Sequence, residues 1–402
     1  MLIYLLPLLF FLASPSASLP PPLLTSLSKD PSTLQYTTTI LHKTPLKPSK
    51  FVIDLGLSFS WVDCKRHYIS SSYLPIPCNA TLCSTIASGG CANATCSLFA
   101  HNSFRHLTAP APAIADVLAL PSTTGRGAGP AVKLPTFLLS CSPTFMLRGL
   151  ARGSSGVVAL GWSNHSLPAQ VIATFSLPQV FALCLSGSPS APGVAFFGTA
   201  GPYIFLPGAV DASKSLVYTP LIRTPPSNYD YYIAVTSIQI NGRRLKTRGR
   251  KMTKLSTVEP YTKMETSIYK AFTKAFVRAA KAMNITPTKA VKPFRACFLY
   301  GSVGSTRAGP GVPTIDLVLH GDEDAVWRLR GENSMVLVNP DVLCLAFVDG
   351  GPKQRDAMVV GGHQLEDNLV QFDLGKKRVG FSSSLLLRQT TCANFNFSVA
   401  AL

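Results

Sequence analysis

The sequence predicts an all-β fold in two lobes, and three observations carry that reading. Apolar residues make up 47% of the chain and charged residues only 14%, a balance that suits a large packed core and excludes a disordered chain. Its 32 prolines and 29 glycines cut the sequence into short β-branched runs, which argues against long helices. At 402 residues the chain is long enough for two domains.

Residues 1–18 read as a secretory signal peptide. The run Leu2 to Ala13 is uncharged but too short to span a bilayer, and Ser14-Pro15-Ser16-Ala17-Ser18 supplies the small residues of a cleavage site, although a basic start is missing. No later run reaches the ~18 apolar residues of a membrane span, so an exported chain without a membrane anchor is expected. Strand-like runs recur at Gly156 to Gly161, Val194 to Gly198, Tyr231 to Ile240, Thr314 to Leu319 and Met358 to Gly361. The clearest helix runs from Thr266 to Met283, where Ile268, Phe272, Ala275, Phe276 and Ala279 repeat at helical spacing. A stretch rich in Thr, Pro, Ser and Asn at Leu216 to Tyr229 marks the domain boundary, giving lobes 19–220 and 221–402.

Ten cysteines fit an oxidising compartment: Cys64, Cys78, Cys83, Cys91, Cys96, Cys141, Cys184, Cys297, Cys344 and Cys392. Their even number and wide scatter predict five disulfides. Cys78 to Cys96 lack paired CxxC spacing and include no His, so neither a metal nor a cofactor is expected there. Asn79, Asn93, Asn164, Asn284 and Asn396 begin Asn-X-Ser/Thr sequons and are candidate glycosylation sites on surface loops.

The net charge of +18 is concentrated. Arg243, Arg244, Lys246, Arg248, Arg250, Lys251 and Lys254 follow closely after Ile240-Asn241-Gly242. The segment is either a solvated hairpin or a footprint for an anionic partner: an acidic protein surface, a pectin-like polysaccharide or membrane headgroups. A nucleic-acid partner is not expected, because the chain is exported and no aromatic-interleaved binding module occurs.

One stretch carries chemistry. Phe51-Val52-Ile53 delivers a carboxylate, Asp54, onto a turn marked by Gly56, and Trp61-Val62 leads away. Pepsin-like aspartic proteases present the first Asp of an Asp-Thr-Gly motif in this way. Here Leu55 stands where Thr or Ser is expected, and Leu57 where a hydroxyl or small residue is usual. That mechanism needs a second carboxylate to share a proton. Asp373 precedes Lys376-Lys377-Arg378 and reads as a strand end, Asp316 lies inside a strand, and Asp349-Gly350-Gly351 does not precede an apolar run. Lys254-Leu255-Ser256-Thr257-Val258 fits the second motif best by context, with Ser256 in place of Asp. A serine hydroxyl cannot serve as acid-base partner, so proteolysis is expected to be lost and Asp54 and Ser256 to be vestigial. Ser256 lies in no Gly-X-Ser-X-Gly elbow and has no nearby His, which argues against a serine nucleophile.

Further stretches extend the likeness: Pro31-Ser32-Thr33-Leu34-Gln35-Tyr36, Pro168-Ala169-Gln170, Glu265-Thr266-Ser267-Ile268-Tyr269-Lys270-Ala271-Phe272, Val360 to Asp373, and Thr391-Cys392-Ala393-Asn394-Phe395-Asn396-Phe397. Over nearly the whole mature chain, the sequence resembles the plant extracellular glycoproteins related to basic 7S globulin, extracellular dermal glycoprotein and the TAXI-type xylanase inhibitors. The resemblance implies a bilobal pepsin-like fold with two β-barrel-like lobes, secretion to the apoplast or cell wall, and no protease activity. Members inhibit microbial cell-wall glycoside hydrolases, notably xyloglucan-specific endoglucanases and xylanases, while others bind peptides or are stored in seeds. In the endoglucanase inhibitors, arginines on C-lobe loops enter the target's cleft, which points to Arg307 and Arg388 here. The xylanase inhibitors use a His near the last loop, and none occurs between Gly380 and Cys392. Relatives usually carry twelve cysteines, and a Gly-rich stretch where this chain has Arg250-Lys251-Met252.

Overall fold

The computed structural model describes residues 20–65, 68–86, 89–222, 224–225, 227–246, 252–321 and 325–398. The expected signal peptide lies outside them, as do Arg248, Arg250 and Lys251 of the basic run.

Strands dominate, and one four-strand arrangement occurs twice. In the first half its strands are β1 (Lys47–Asp54), β2 (Trp61–Asp63), β3 (Ala128–Ser142) and β4 (Gly156–Ala159). In the second half they are β5 (Met252–Leu255), β6 (Thr262–Met264), β7 (Phe347–Asp349) and β8 (Met358–Val360). β1 pairs parallel with β4, β4 antiparallel with β2, and β2 parallel with β3. β5, β8, β6 and β7 repeat those three pairings in the same order and sense. A parallel strand buried on both faces reads as a continuous apolar run, which explains Phe51-Val52-Ile53. All three are buried.

The halves meet in a sheet that draws on both. Val180–Cys184 pairs antiparallel with Leu369–Asp373, which pairs in turn with Arg378–Phe381. Leu23–Lys29 joins it through Gly193–Phe197. The Phe181 and Phe372 rings stack at 4.6 Å, Tyr231 packs against Phe372, and the Tyr231 hydroxyl donates to the Leu160 carbonyl at 3.0 Å. This is the bilobal pepsin-like, all-β architecture that the sequence predicts.

Each strand-like run proves to be a strand, with bounds shifted by no more than a residue or two. The expected helix is α1 (Thr266–Ala282), whose first amides are capped by the Glu265 carboxylate. It buries Ile268, Tyr269, Phe272, Phe276 and Ala280. Five disulfides form: Cys64–Cys141, Cys78–Cys91, Cys83–Cys96, Cys184–Cys392 and Cys297–Cys344. Among the described residues no helix is long and apolar enough to cross a membrane.

Candidate functional site

β1 and β5 end side by side, and their following turns make the floor of a pocket of about 240 Å³. Asp54 is 2% exposed, and its Oδ1 accepts the Gly56 N–H at 2.8 Å. Ser256 sits at the matching place beyond β5, where its Oγ accepts the Val258 and Glu259 N–H groups at 3.1 and 3.3 Å. Each side chain thus closes its own turn by accepting the amide two residues on. The turns are joined by Thr257, whose Oγ1 accepts the Leu55 N–H and donates to the Ile53 carbonyl.

Burial pushes the Asp54 carboxyl above its ordinary value, and the neighbouring Asp230 adds to this. Hydrogen bonds from Ser103 Oγ, 2.5 Å from Oδ2, and from Gly56 oppose the rise, as does the Lys254 charge. His101, His106 and Glu259 also face the pocket. Burial pulls the His101 imidazole down, against the attraction of Asp54.

One expectation needs correction. Besides Asp54 and Glu259 the pocket contains the carboxylate of Asp230, which precedes the Tyr231–Ile240 strand and belongs to no motif turn. A Cβ on Gly56 would stand 2.1 Å from Asp230 Oδ1 and 3.6 Å from Asp54 Oδ1, so the two carboxylates flank that glycine. Only a residue without a side chain fits between them. Asp230 is held by Lys254 Nζ at 3.2 Å. Burial disfavours the Lys254 ammonium, but Asp230 outweighs it and Lys254 titrates above an ordinary lysine. Lys254 therefore serves this pocket and is not part of the exposed basic segment. No local sequence signal marks Asp230, because its place over Gly56 comes from the pairing of Tyr231–Ile240 with β5, far away in sequence from Asp54.

The other acidic candidates are engaged elsewhere. Arg328 grips Asp316 with two nitrogens at 2.6 and 2.9 Å. Arg378 Nε donates to Asp373 at 3.0 Å, and Asp349 accepts the Thr266 hydroxyl at 2.6 Å.

Arg307 is exposed at the tip of a hairpin formed by Ser305–Thr306 and Gly309–Pro310. Ala308 beside it is buried, and its carbonyl accepts the Glu332 N–H at 3.0 Å, which pins the tip. The hairpin borders a cavity of about 410 Å³ that Lys29, His363 and Glu366 also line. Glu366 accepts from the Tyr36 hydroxyl at 2.5 Å and Lys29 at 2.6 Å, with His363 Nδ1 at 3.3 Å. Arg388 is exposed at the end of the helical turn Leu385–Arg388. Its segment is fixed to Asp367, whose carbonyl accepts the Leu385 N–H at 2.8 Å and whose Oδ1 accepts the Cys392 N–H at 2.9 Å. The Arg307 hairpin is thus pinned at Glu332, and the Arg388 segment is anchored at Asp367. Of the sequon residues, Asn79, Asn93, Asn164 and Asn284 are exposed and Asn396 is half-buried.

Comparison with known proteins gives concordant matches. Residues 36–199 match the family model described as xylanase inhibitor N-terminal, and residues 230–383 the one described as xylanase inhibitor C-terminal. The chain is 44% identical to a probable aspartic proteinase GIP2 of Nicotiana benthamiana, covering 95% of this chain and 93% of that one. It is 40% identical to a gamma conglutin 1 of Prunus dulcis, covering 95% and 91%. Among solved structures, that of edgp superposes with a TM-score of 0.91 at 44% identity, covering 94% of this chain and 99% of the other. The basic 7S globulin from soybean superposes with a TM-score of 0.84 at 33% identity, covering 95% and 100%.

Proposed function

Because the chain belongs to the family that the xylanase-inhibitor N- and C-terminal models describe, we propose that it is a catalytically inactive aspartic-protease homologue that inhibits microbial cell-wall glycoside hydrolases. A xyloglucan endoglucanase is the preferred target over a xylanase, since the final loop carries arginine and no histidine. We place it in the apoplast or cell wall, with residues 1–18 removed, lobes 19–220 and 221–402, and glycans on its sequons; the five disulfides support an oxidising compartment.

The observation that carries the reading is the exposed Arg307 on a pinned hairpin. A retaining glycosidase holds two carboxylates about 5 Å apart in an open cleft. A planar guanidinium entering that cleft would bridge them with charge-assisted, bidentate hydrogen bonds that strengthen as water leaves. A tip fixed at Ala308 loses little freedom when it docks. Arg388 would be the second contact.

The pocket supports a loss of peptidase activity. Ser256 has no titratable proton near neutral pH, and Leu55 offers no hydroxyl to the carboxylate. Asp230 is paired with Lys254, an ion pair that competes with the proton sharing the mechanism needs.

The presence of Asp230 favours one other reading, an altered aspartic endopeptidase. Assays of a xyloglucan endoglucanase with the purified protein, alongside haemoglobin digestion at acid pH, separate the two. Inhibition without digestion supports the proposal. Digestion abolished by Asp54→Ala would replace it with the peptidase, and silence in both assays would leave a storage or ligand-binding glycoprotein.

A further inference from the structure

α1 is amphipathic in an unusual way. Its buried stripe faces the core, while its exposed face carries Lys270, Lys274, Arg278 and Lys281. No Asp or Glu occurs anywhere between Glu265 and Asp316. A solvated helix ordinarily alternates acidic and basic residues four apart, whereas like charges at that spacing repel and weaken the helix. Lys270 has Asp349 within electrostatic reach, so the uncompensated run begins at Lys274.

A second basic element abuts the end of the helix. The strand Tyr231–Ile240 turns at Asn241-Gly242 into the short strand Arg243–Arg244. Asn241 Nδ2 donates to Met283 Sδ at 3.6 Å, which sets the hairpin tip against the end of α1. Arg243, Arg244 and Lys246 on that hairpin are exposed.

We propose that this face is a docking surface for a linear polyuronate, a polysaccharide with one carboxylate per sugar ring. Successive cations on α1 lie about 6, 6 and 4.5 Å apart along the axis. A row of that spacing suits a thin chain with one charge per monomer. Duplex DNA carries a charge about every 1.7 Å, far denser than the row can neutralise. An anionic membrane spreads its charge over a plane and holds most firmly what inserts apolar side chains, whereas the apolar side of α1 is buried in the core. The site is independent of Arg307 and would hold the protein in a carboxylated matrix whatever its target.

The test uses the full-length protein and immobilised polygalacturonate. Binding should be strong at low salt and fall steeply as salt rises. The combined Lys274→Gln, Arg278→Gln and Lys281→Gln variant should weaken it at least about tenfold, whereas Lys47→Gln, Lys133→Gln and Lys214→Gln, with the same charge change elsewhere, should shift it less than about twofold. Fully methyl-esterified polymer should not bind. Equal losses in both variants, retention on the esterified polymer, tighter binding to heparin, duplex DNA or phosphatidylserine vesicles, or no binding by the unaltered protein would each overturn the proposal.

Discussion

Thr257 Oγ1 accepts the Leu55 N–H at 3.1 Å and passes its own proton to the Ile53 carbonyl at 3.3 Å. One buried hydroxyl therefore ties the turn after β5 to the turn after β1. Leu55, at the matching place in the first turn, is fully buried and has nothing to return. The clasp is one-sided, so its loss should be felt. Thr257→Val leaves the Leu55 N–H without a partner and should cost about 1–3 kcal/mol in urea unfolding, while Thr257→Ser should recover most of it. Equal stability of the Val and Thr proteins would show that the hydroxyl carries no weight.

Lys254 compensates two nearby carboxylates in a half-dry pocket. Lys254→Met should destabilise the protein by about 1–3 kcal/mol at neutral pH, because Asp230 loses its partner beside Asp54. Adding Asp230→Asn should restore much of that loss. A double variant as unstable as the single one would place the effect in packing instead of charge.

Burial pushes the Asp367 carboxyl up to about 6, with Glu366 and Glu332 adding to the rise and the Cys392 amide opposing it. The folded value lies above the unfolded one, so the native state holds the extra proton. The resulting stability is complete below about pH 4 and is lost as pH rises through 6, a change of about 3 kcal/mol. Asp367→Asn should remove this slope while its side-chain oxygen still accepts the Cys392 N–H. Identical pH profiles for the two proteins would contradict the assignment.

The Cys184–Cys392 disulfide closes a separation of 208 residues and fixes the segment that carries Arg388. Replacing both cysteines with Ser should cost about 2–5 kcal/mol in thermal or urea unfolding. A cost below about 1 kcal/mol would mean that the hydrogen bonds to Asp367, Leu206 and Ala128 hold the tail without the disulfide.

Local features were legible from the chain alone. The apolar run into Asp54 announced a buried strand and a turn, and the spacing of Ile268, Phe272 and Phe276 announced α1. Ser256 was recognisable from its motif context ahead of the helix that starts at Thr266. Asp230 was not, because it reaches Gly56 only through the pairing of the Tyr231–Ile240 strand with β5, a relationship with no sequence period. The grouping of Lys29, Tyr36, His363 and Glu366 was hidden for the same reason: over three hundred residues separate Tyr36 from Glu366. Lys254 misled in isolation, since a lysine in a basic run reads as solvated until its burial beside Asp230 is seen.

The most direct measurement is the inhibition constant toward a retaining xyloglucan endoglucanase, for the protein as it stands and for Arg307→Ala. A guanidinium bridging two carboxylates in a closing cleft predicts nanomolar-to-micromolar inhibition and a loss of at least about tenfold, about 1.4 kcal/mol, on truncation. An unchanged inhibition constant in Arg307→Ala would contradict the account.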